Sequence, residues 1–189
     1  MEERELSISC AQNDPGARKE LYDKYSGHLF GVCLRYASNR EEALDILHDS
    51  FIKIYSNIGR FTWRGPGSLK GWLTRLTINL AIEKIRETSR FRTVEIPPDA
   101  PCTYGPLPDE RSVGEVPLEV LVKFVEELPP GYRAVFNLYV FEELSHKEIA
   151  RMLGINEKSS SSQLLRAKAA MAKKINDYKN RLENGNQQR

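Results

Sequence analysis

Cysteine, histidine and long apolar stretches are scarce in this chain. Its 189 residues include three cysteines, Cys10, Cys33 and Cys102, too few and too scattered for a disulfide framework or a cysteine-rich zinc site. No stretch approaches the roughly 18 consecutive apolar residues that a membrane helix needs. The first residues, MEERELSISC, are acidic and polar, unlike a secretory signal peptide. We therefore expect reduced thiols and a cytoplasmic protein without membrane insertion.

The side chains that enzymes and metal sites need do not cluster either. His28, His48 and His146 lie in different predicted helices without metal-ligand spacing. No glycine-rich phosphate loop of the P-loop kind occurs. We predict no enzymatic activity, no catalytic residue, no cofactor and no metal ion.

Charge is distributed unevenly along the chain. The overall net charge is +2, but residues 1–59, 60–92, 93–144 and 145–189 carry net charges of −3, +6, −7 and +6. Two basic blocks of this size are typical of a protein that binds a polyanion, because lysine and arginine near phosphates release condensed counterions. Two solvated helix faces would give the same charge pattern.

Residues 94–117 hold six of the ten prolines and are acidic. Proline fixes φ and removes a backbone donor, so neither a helix nor a central strand is compatible with this density. The sequence therefore predicts an interdomain linker here.

Elsewhere the apolar residues recur at three- and four-residue spacing, and no alternating β pattern appears. Asp14-Pro15 is typical of an N-cap followed by proline at the first helical position. Ser38 with Glu41 fits a capping box for the next helix, and a further helix is predicted from Ser68 to about Phe91. We predict an all-α protein. The apolar stripes of these two helices are predicted at Leu44, Leu47, Phe51, Ile54 or Tyr55 and Ile58, and at Leu69, Leu73, Leu76 and Leu80.

Residues 144–171, LSHKEIARMLGINEKSSSSQLLRAKAAM, have the layout of a helix-turn-helix. Ser145 and Glu148 fit a capping box for a short helix, Gly154 suits the left-handed turn, and Asn156 can cap a second helix running to about Tyr178. Short polar side chains next to an arginine are typical of a helix that contacts base edges in the major groove of DNA. An ordinary helical hairpin with a solvated face remains the alternative. The residues predicted to point outward are Ser159, Ser162, Gln163, Arg166, Ala169 and Lys173.

A second candidate surface combines the helix from Ser68 with the preceding loop, RFTWRGPGS. Interleaved aromatic and basic side chains can stack on unpaired bases while holding the backbone, and an asparagine can read a base edge. The alternative is that Phe61 and Trp72 pack in the core. One face of the helix is predicted to present Trp72, Arg75, Asn79, Glu83, Arg86 and Arg90.

Three blocks occur in a fixed order: DILHDSFIKIYSNIGRF, GSLKGWLTRLTINLAIEKIR and, after the prolines, LPPGYRAVFNLYVFEELSHKEIARMLGI. With them the chain resembles the extracytoplasmic-function sigma factors of bacterial RNA polymerase over roughly residues 10–178. The resemblance implies two small helical domains joined by a proline-rich linker. These would be a sigma-2 bundle at 1–92, a linker at 93–116, a sigma-4 helix-turn-helix domain at 117–183 and a tail at 184–189. The implied partners are core RNA polymerase, promoter DNA and an anti-sigma factor.

The resemblance also assigns residues to three surfaces. The core-polymerase surface, which is expected to have no intramolecular role in the helix pattern, comprises Asp45, Asp49, Ile52 and Lys53. The surface that melts and captures the −10 promoter element comprises Phe61, Trp72, Arg75, Asn79, Glu83 and Arg86. The surface that reads the −35 element comprises Lys158, Ser161, Ser162, Leu165 and Arg166. The chain departs from the family pattern at Glu83, where aspartate is frequent, and at Ser160 and Ser161, where aliphatic and basic residues are frequent.

Two other functions fit parts of the sequence. If the chain were a helix-turn-helix regulator without a sigma role, the helix at residues 45–58 and the aromatic loop RFTWRGPGS would have no function. The third possibility is an adaptor that binds only proteins. Promoter-dependent transcription with core polymerase alone discriminates a sigma factor from the regulator, and a salt-dependent gain of promoter binding on adding core would speak against the adaptor.

Overall fold

The computed structural model of the chain describes residues 1–87, 114 and 116–186. The described residues form eight α-helices and one short 3-10 helix, with no strand among them, which confirms the predicted all-α class. The chain divides into two compact units, Met1–Glu87 and Thr88–Arg189. Most of the predicted linker, 93–116, lies outside the described residues. No helix in the described ranges is long and apolar enough to cross a membrane.

The first unit is a bundle of four helices. They are α1 (Glu3–Ala11), α2 (Pro15–Tyr36), α3 (Arg40–Asn57) and α4 (Ser68–Glu87), with a 3-10 turn at Ile58–Arg60 after α3. α2 packs against the other three helices, and α3 also packs against α4. The centre of the bundle is aliphatic and closed to solvent, formed by Leu6, Leu21, Leu29, Ile46, Ile54, Leu69 and Leu73.

The start of α2 agrees with the sequence, whereas the start of α3 does not. Asp14 caps α2 by accepting a 2.6 Å hydrogen bond from the Ala17 amide, which confirms the predicted N-cap. The predicted capping box of Ser38 with Glu41 is wrong by one residue. Asn39 is the N-cap of α3, and its side chain accepts from the amide of Glu42. The Glu42 carboxylate in turn accepts from the Ser38 amide, 2.7 Å away.

The buried stripe of α3 also differs from the predicted one. Leu44 is 47% exposed, although it was expected in the core. Because α3 is covered by α2 on one side and α4 on the other, its buried stripe is broader than a single apolar row. The buried residues are Ala43, Ile46, Leu47, Ser50, Phe51 and Ile54.

A similar shift occurs in α4. Leu69 and Leu73 are buried as predicted, but Leu76 and Leu80 are only half-buried. The fully buried positions continue at steps of four residues through Thr77 and Ala81 to Ile85, joined by Ile78 and Ile82. The predicted extension of this helix to Phe91 lies outside the described residues.

The N-terminal helix α1 was not predicted, because its nine residues are too short a stretch for a clear apolar periodicity. Its Leu6 and Cys10 are fully buried. Burial raises the pKa of the Cys10 thiol, and it raises the pKa of Cys33 to about 12. Both cysteines are free and inaccessible, whereas Cys102 lies outside the described residues.

The second unit contains α5 (Leu118–Glu126), α6 (Pro130–Val140), α7 (His146–Leu153) and α8 (Glu157–Asn186). α5, α6 and α7 each pack against α8. The core joins Val125 and Leu128 to Ala167 and Met171 of α8. α8 continues beyond the predicted end at Tyr178 and includes residues 184–186 of the predicted tail.

Candidate nucleic-acid and polymerase interfaces

The exposed side of α3 carries the predicted core-polymerase surface. Asp45 and Ile52 are exposed, Ile52 to 54%, and Asp49 and Lys53 are partly exposed. An exposed isoleucine between charged side chains is common at protein interfaces, where an apolar centre is surrounded by a polar rim. The four side chains therefore share one solvent-facing side of the bundle.

Two of these residues nevertheless have partners within the chain. Lys53 Nζ lies 2.8 Å from the carboxylate of Glu83, and Asp49 pairs with Lys84. The expectation that this surface has no intramolecular role is wrong for both residues. The sequence could not predict these two ion pairs, because the partners lie on different helices. Lys53 and Glu83, for example, are 30 residues apart. Ion pairs this exposed contribute about 0–1 kcal/mol, so both remain available to a partner.

The aromatic loop runs from Phe61 to Gly67, between the 3-10 turn and α4. Phe61 and Trp72 contact each other with ring centroids 5.6 Å apart and planes tilted by 55°. Both rings are partly buried, and neither is among the buried core residues, so they lie at the edge of the core and not inside it. A tilted aromatic pair at the surface leaves ring faces on which an unstacked base can pack.

Next to this pair, α4 presents a polar and mainly basic face. Arg75, Asn79, Glu83 and Arg86 are all exposed, as their spacing predicted. Glu83 is the residue paired with Lys53. The residues predicted for the −10 element and those predicted for core polymerase are thus adjacent, and an ion pair joins the two sets. Arg90, predicted on the same face, lies outside the described residues.

Glu3 and Trp63, which were not predicted as site residues, also take part in the loop structure. Glu3 Oε2 accepts a 2.8 Å hydrogen bond from the Gly67 amide, and Glu3 Oε1 accepts one of 3.1 Å from the Tyr25 hydroxyl. The Arg4 guanidinium lies 5.7 Å from the ring centre of Trp63. No sequence signal could have found the contacts between α1 and the loop, because they join residues about sixty positions apart.

The contact of Tyr25 with Glu3 leads to a prediction at alkaline pH. Burial, together with the Glu3 carboxylate, raises the pKa of Tyr25 to about 12 from its ordinary value of 10. Because the folded state holds this proton more tightly than the unfolded state, the resulting stability is complete below pH 10 and is lost as the pH rises toward 12. We expect the free energy of unfolding to fall by about 2 kcal/mol more in the parent protein than in Tyr25→Phe between about pH 9 and pH 11.5.

Urea titrations of both proteins at the two pH values measure this difference. Cys33 also has a raised pKa, but it is present in both proteins and cancels in the comparison. Equal losses for the parent protein and the variant would contradict the prediction.

The helix-turn-helix geometry of the second unit is present as predicted. Ser145 and Glu148 form a reciprocal capping box at the start of α7. Gly154 ends α7 with a left-handed φ of 69°. The Asn156 side chain accepts a 2.6 Å hydrogen bond from the Ser159 amide and caps α8.

The outward face of α8 is rotated relative to the predicted one. Gln163 and Ala169 are 7% and 3% exposed and therefore face inward. They neighbour the buried row of Ser160, Leu164, Ala167 and Met171, and both α6 and α7 cover this side of the helix. Lys173 is exposed, and Ser159, Ser162 and Arg166 are partly exposed. The residues implied for the −35 element all retain solvent access, with Lys158, Ser161 and Leu165 exposed and Ser162 and Arg166 partly so.

The serine run has a packing role at one position. Ser160 is fully buried, and its hydroxyl lies 3.0 Å from Nδ1 of His146 on α7. His146 stacks on Tyr139 with ring centroids 5.1 Å apart, and Lys168 Nζ lies 5.5 Å from the centre of the same tyrosine ring. At the position where aliphatic residues are frequent, this chain therefore joins the two helices by a hydrogen bond.

The histidines do not converge on a common site. His28 lies 2.9 Å from the Thr74 hydroxyl, and burial, aided by Lys70 and Arg35, lowers its pKa. His146 belongs to the other unit. Within the described ranges no group of three histidine, cysteine, aspartate or glutamate side chains is arranged to hold a metal ion.

Comparison with known families matches both units. The family model for sigma-70 region 2 matches residues 21–91, and the model for sigma-70 region 4 matches residues 118–171. The first match covers the α2–α4 bundle with the aromatic loop, and the second covers α5 through the helix-turn-helix. The two models therefore cover both candidate DNA surfaces in chain order.

Several curated proteins align with most of the chain. The ECF RNA polymerase sigma factor SigW of Bacillus subtilis is 28% identical over 175 residues, covering 88% of this chain and 92% of the relative. The RNA polymerase sigma-H factor of Pseudomonas aeruginosa is 28% identical over 188 residues, covering 92% and 94%. The ECF RNA polymerase sigma factor SigE of Mycolicibacterium smegmatis is 27% identical over 161 residues, and the chain spans 60% of its length.

A solved structure shares the fold. It is the sigma factor RpoE of Bartonella quintana in complex with the anti-sigma factor NepR, with a TM-score of 0.50 and 18% identity, covering 84% of this chain and 96% of that one. The two sigma-70 region models in order and the aligned sigma factors lead to one assignment. The chain belongs to the extracytoplasmic-function sigma factors, which bind core RNA polymerase and direct transcription initiation at promoters.

Proposed function

We propose that the loop and α4 capture the melted −10 element of the promoter. The observation that carries this proposal is the partly buried pair of Phe61 and Trp72 beside an exposed face with Arg75, Asn79 and Arg86. Aromatic faces stack on bases without sequence preference, whereas an amide reads a base edge. In this assignment Phe61 and Asn79 hold a base that has left the stack, and the arginines follow the phosphate backbone.

The second unit supplies the duplex-reading surface of the proposal. α8 enters the major groove of the −35 element with Lys158, Ser161, Ser162, Leu165 and Arg166 facing the DNA. The left-handed Gly154 forms the turn between α7 and α8, and the hydrogen bond between Ser160 and His146 joins the two helices, which supports a fixed orientation of the reading face relative to α7. Residue 161 contributes only a short hydroxyl, so we expect weaker phosphate contact there than a lysine or arginine would make.

The exposed side of α3 is the proposed attachment point for core polymerase. Asp45 is exposed and lies outside the two ion pairs of this surface, so it is a cleaner probe than Asp49. We expect Asp45→Arg to weaken association with core by about fivefold or more, since interface hot spots cost more than about 1 kcal/mol. Its free energy of unfolding should change by less than about 0.5 kcal/mol, as is usual at exposed positions.

The matched control is Asp23→Arg, which makes the same charge change at an exposed position of α2. Titration of labelled core polymerase with each variant measures the affinity. Equal affinities for Asp45→Arg and Asp23→Arg would remove Asp45 from the polymerase surface.

Transcription in vitro tests the whole proposal. Core polymerase from the bacterium that encodes the chain is combined with the chain and fragmented genomic DNA, and transcript start sites are mapped. We expect starts that depend on the chain and share two sequence elements. Promoter binding by the chain without polymerase-dependent starts would favour the regulator alternative, and binding to core without promoter selection would favour the adaptor.

Further parts of the proposal rest on family membership. An anti-sigma factor is the proposed inhibitor, and a chain that acts on promoter DNA with RNA polymerase is proposed to work in the cytoplasm. We also propose that the chain carries no catalytic activity of its own, since the polymerase supplies the chemistry. Co-purification of the chain from its host before and after stress, followed by identification of bound proteins, tests the inhibitor.

A further inference from the structure

The side chain of Glu3 joins three parts of the first unit. From its place on α1, one carboxylate oxygen accepts from the Gly67 amide at 2.8 Å and the other from the Tyr25 hydroxyl at 3.1 Å. Gly67 directly precedes α4, and its carbonyl accepts the first hydrogen bond of that helix. The carboxylate thus connects α1 and α2 to the point where the aromatic loop enters α4.

The loop needs such a restraint because its backbone is unusual there. Gly65 and Gly67 have φ values of 126° and 82°, a region that glycine occupies readily and other residues rarely. The Ser68 hydroxyl donates to the Gly65 carbonyl at 2.6 Å and accepts from the Arg64 amide at 3.2 Å. Two glycines so close together leave many competing conformations, so each of these hydrogen bonds reduces the conformational freedom of the loop.

The Glu3 contact differs in kind from those made by Ser68. Ser68 closes the loop on itself, whereas Glu3 attaches the loop to a different helix. An ionised carboxylate that accepts a backbone N–H makes a charge-assisted hydrogen bond, and the amino end of α4 favours a negative charge. The neighbouring residue Arg4 stacks on Trp63 of the same loop, so two consecutive residues of α1 contact it.

We propose that Glu3 is a positioning residue for promoter opening, which holds the loop in the conformation that receives an unstacked −10 base. This inference rests on the proposed function of the loop. Glu3 does not contact DNA in this role. Its effect is to fix the loop, and with it Phe61, before the base arrives, so that less ordering has to occur on binding.

The experiment compares four variants with the parent protein as holoenzymes with core polymerase. Glu3→Ala removes both acceptors, while Glu3→Gln retains a carbonyl for Gly67 and an amide that can donate to Tyr25. Tyr25→Phe removes the contact with α2 and leaves the contact with the loop. Glu5→Ala is the matched control, because Glu5 is an exposed residue of the same helix and its loss changes the charge equally.

The first readout is the affinity of each holoenzyme for a single-stranded oligonucleotide carrying the −10 element mapped in the transcription experiment. We expect Glu3→Ala to bind roughly three- to tenfold more weakly, the size of one net hydrogen bond. Glu3→Gln, Tyr25→Phe and Glu5→Ala should remain within about twofold of the parent protein. The second readout is trypsin cleavage after Arg64 in the free chain, which should be faster in Glu3→Ala alone.

The outcomes separate this inference from the proposed function. If the parent holoenzyme starts transcription at promoters but Glu3→Ala equals Glu5→Ala in both readouts, the positioning role is wrong and the sigma function stands. If Tyr25→Phe is as defective as Glu3→Ala, the effect comes from docking α1 on α2, which also overturns the inference. If the parent holoenzyme neither selects promoters nor binds the −10 strand, the proposed function of the loop is wrong, and the role of Glu3 that rests on it is wrong as well.

Discussion

Replacing Asn79 with alanine is expected to weaken capture of the −10 element by roughly ten- to a hundredfold. Asn79 is exposed on α4, on the helix whose Trp72 packs against Phe61. A bidentate amide contact to a base edge is worth about 1–3 kcal/mol of discrimination. Alanine is the best helix former, so α4 itself should be unaffected. The loss should therefore appear in promoter opening and not in folding.

Two promoter templates measure this effect, one fully duplex and one with a premelted −10 bubble. If Asn79 reads an unstacked base, the defect persists on the bubble with the correct base and disappears when that base is substituted. Asn176→Ala is the matched control, because Asn176 is an exposed asparagine on the distal part of α8. A defect of equal size for every base at every bubble position would rule out base reading by Asn79.

Replacing Arg166 with alanine is expected to weaken recognition of the −35 element by a similar factor, with a different template dependence. Arg166 is partly exposed on α8 next to Leu165, which is 52% exposed. In the proposed complex we expect the guanidinium to contact a base edge or a phosphate of intact duplex. Loss of a base contact costs about 1–3 kcal/mol and relaxes specificity at one base pair, whereas loss of a phosphate contact weakens binding uniformly and lowers the salt dependence.

The same pair of templates distinguishes Arg166 from Asn79. The Arg166→Ala defect should follow the −35 sequence and be indifferent to the −10 bubble. Arg181→Ala serves as the control, since it removes an exposed arginine further along the same helix. If Arg166→Ala and Asn79→Ala respond alike to both templates, the division of roles between the two units is wrong.

The proposed polymerase surface and the proposed −10 surface are adjacent, so a substitution in one can affect the other. Lys53 pairs with Glu83, and Asp49 pairs with Lys84. A substitution at Asp49 or Lys53 therefore also releases a charge on α4 beside the DNA surface. Effects on core binding and on −10 recognition are not separable at these two residues, whereas Asp45 and Asn79 each probe one surface.

The sequence predicted several local interactions correctly, although it misplaced the cap of α3 by one residue. The Asp14 cap, the Ser145–Glu148 capping box and the left-handed Gly154 were all predicted and are all present. Each depends on a side chain and a backbone group within one helical turn, or on the steric freedom of glycine. The all-α class follows from apolar periodicity in the same way, and the ordered motifs of both units were enough to indicate the family.

Tertiary structure decided which residues of each helix face the core. Leu44 is exposed and Gln163 is buried, contrary to the predicted faces. A helix covered by two neighbours buries a wider arc than its most apolar row, so polar or small residues such as Ser50 and Ala169 are enclosed as well. Hydrophobicity along a single helix carries no information about how many neighbours cover it.

Only the folded chain brought together residues distant in sequence. The sequence by itself determined most of the helices, the caps of α2, α7 and α8, and the order of the family motifs. It did not determine that Glu3 binds the Gly67 amide or that Lys53 pairs with Glu83. Such contacts depend on how whole helices pack, and that packing results from many weak apolar interactions. The polar side chains that meet at the edge of the bundle have no local sequence pattern from which their partners can be predicted.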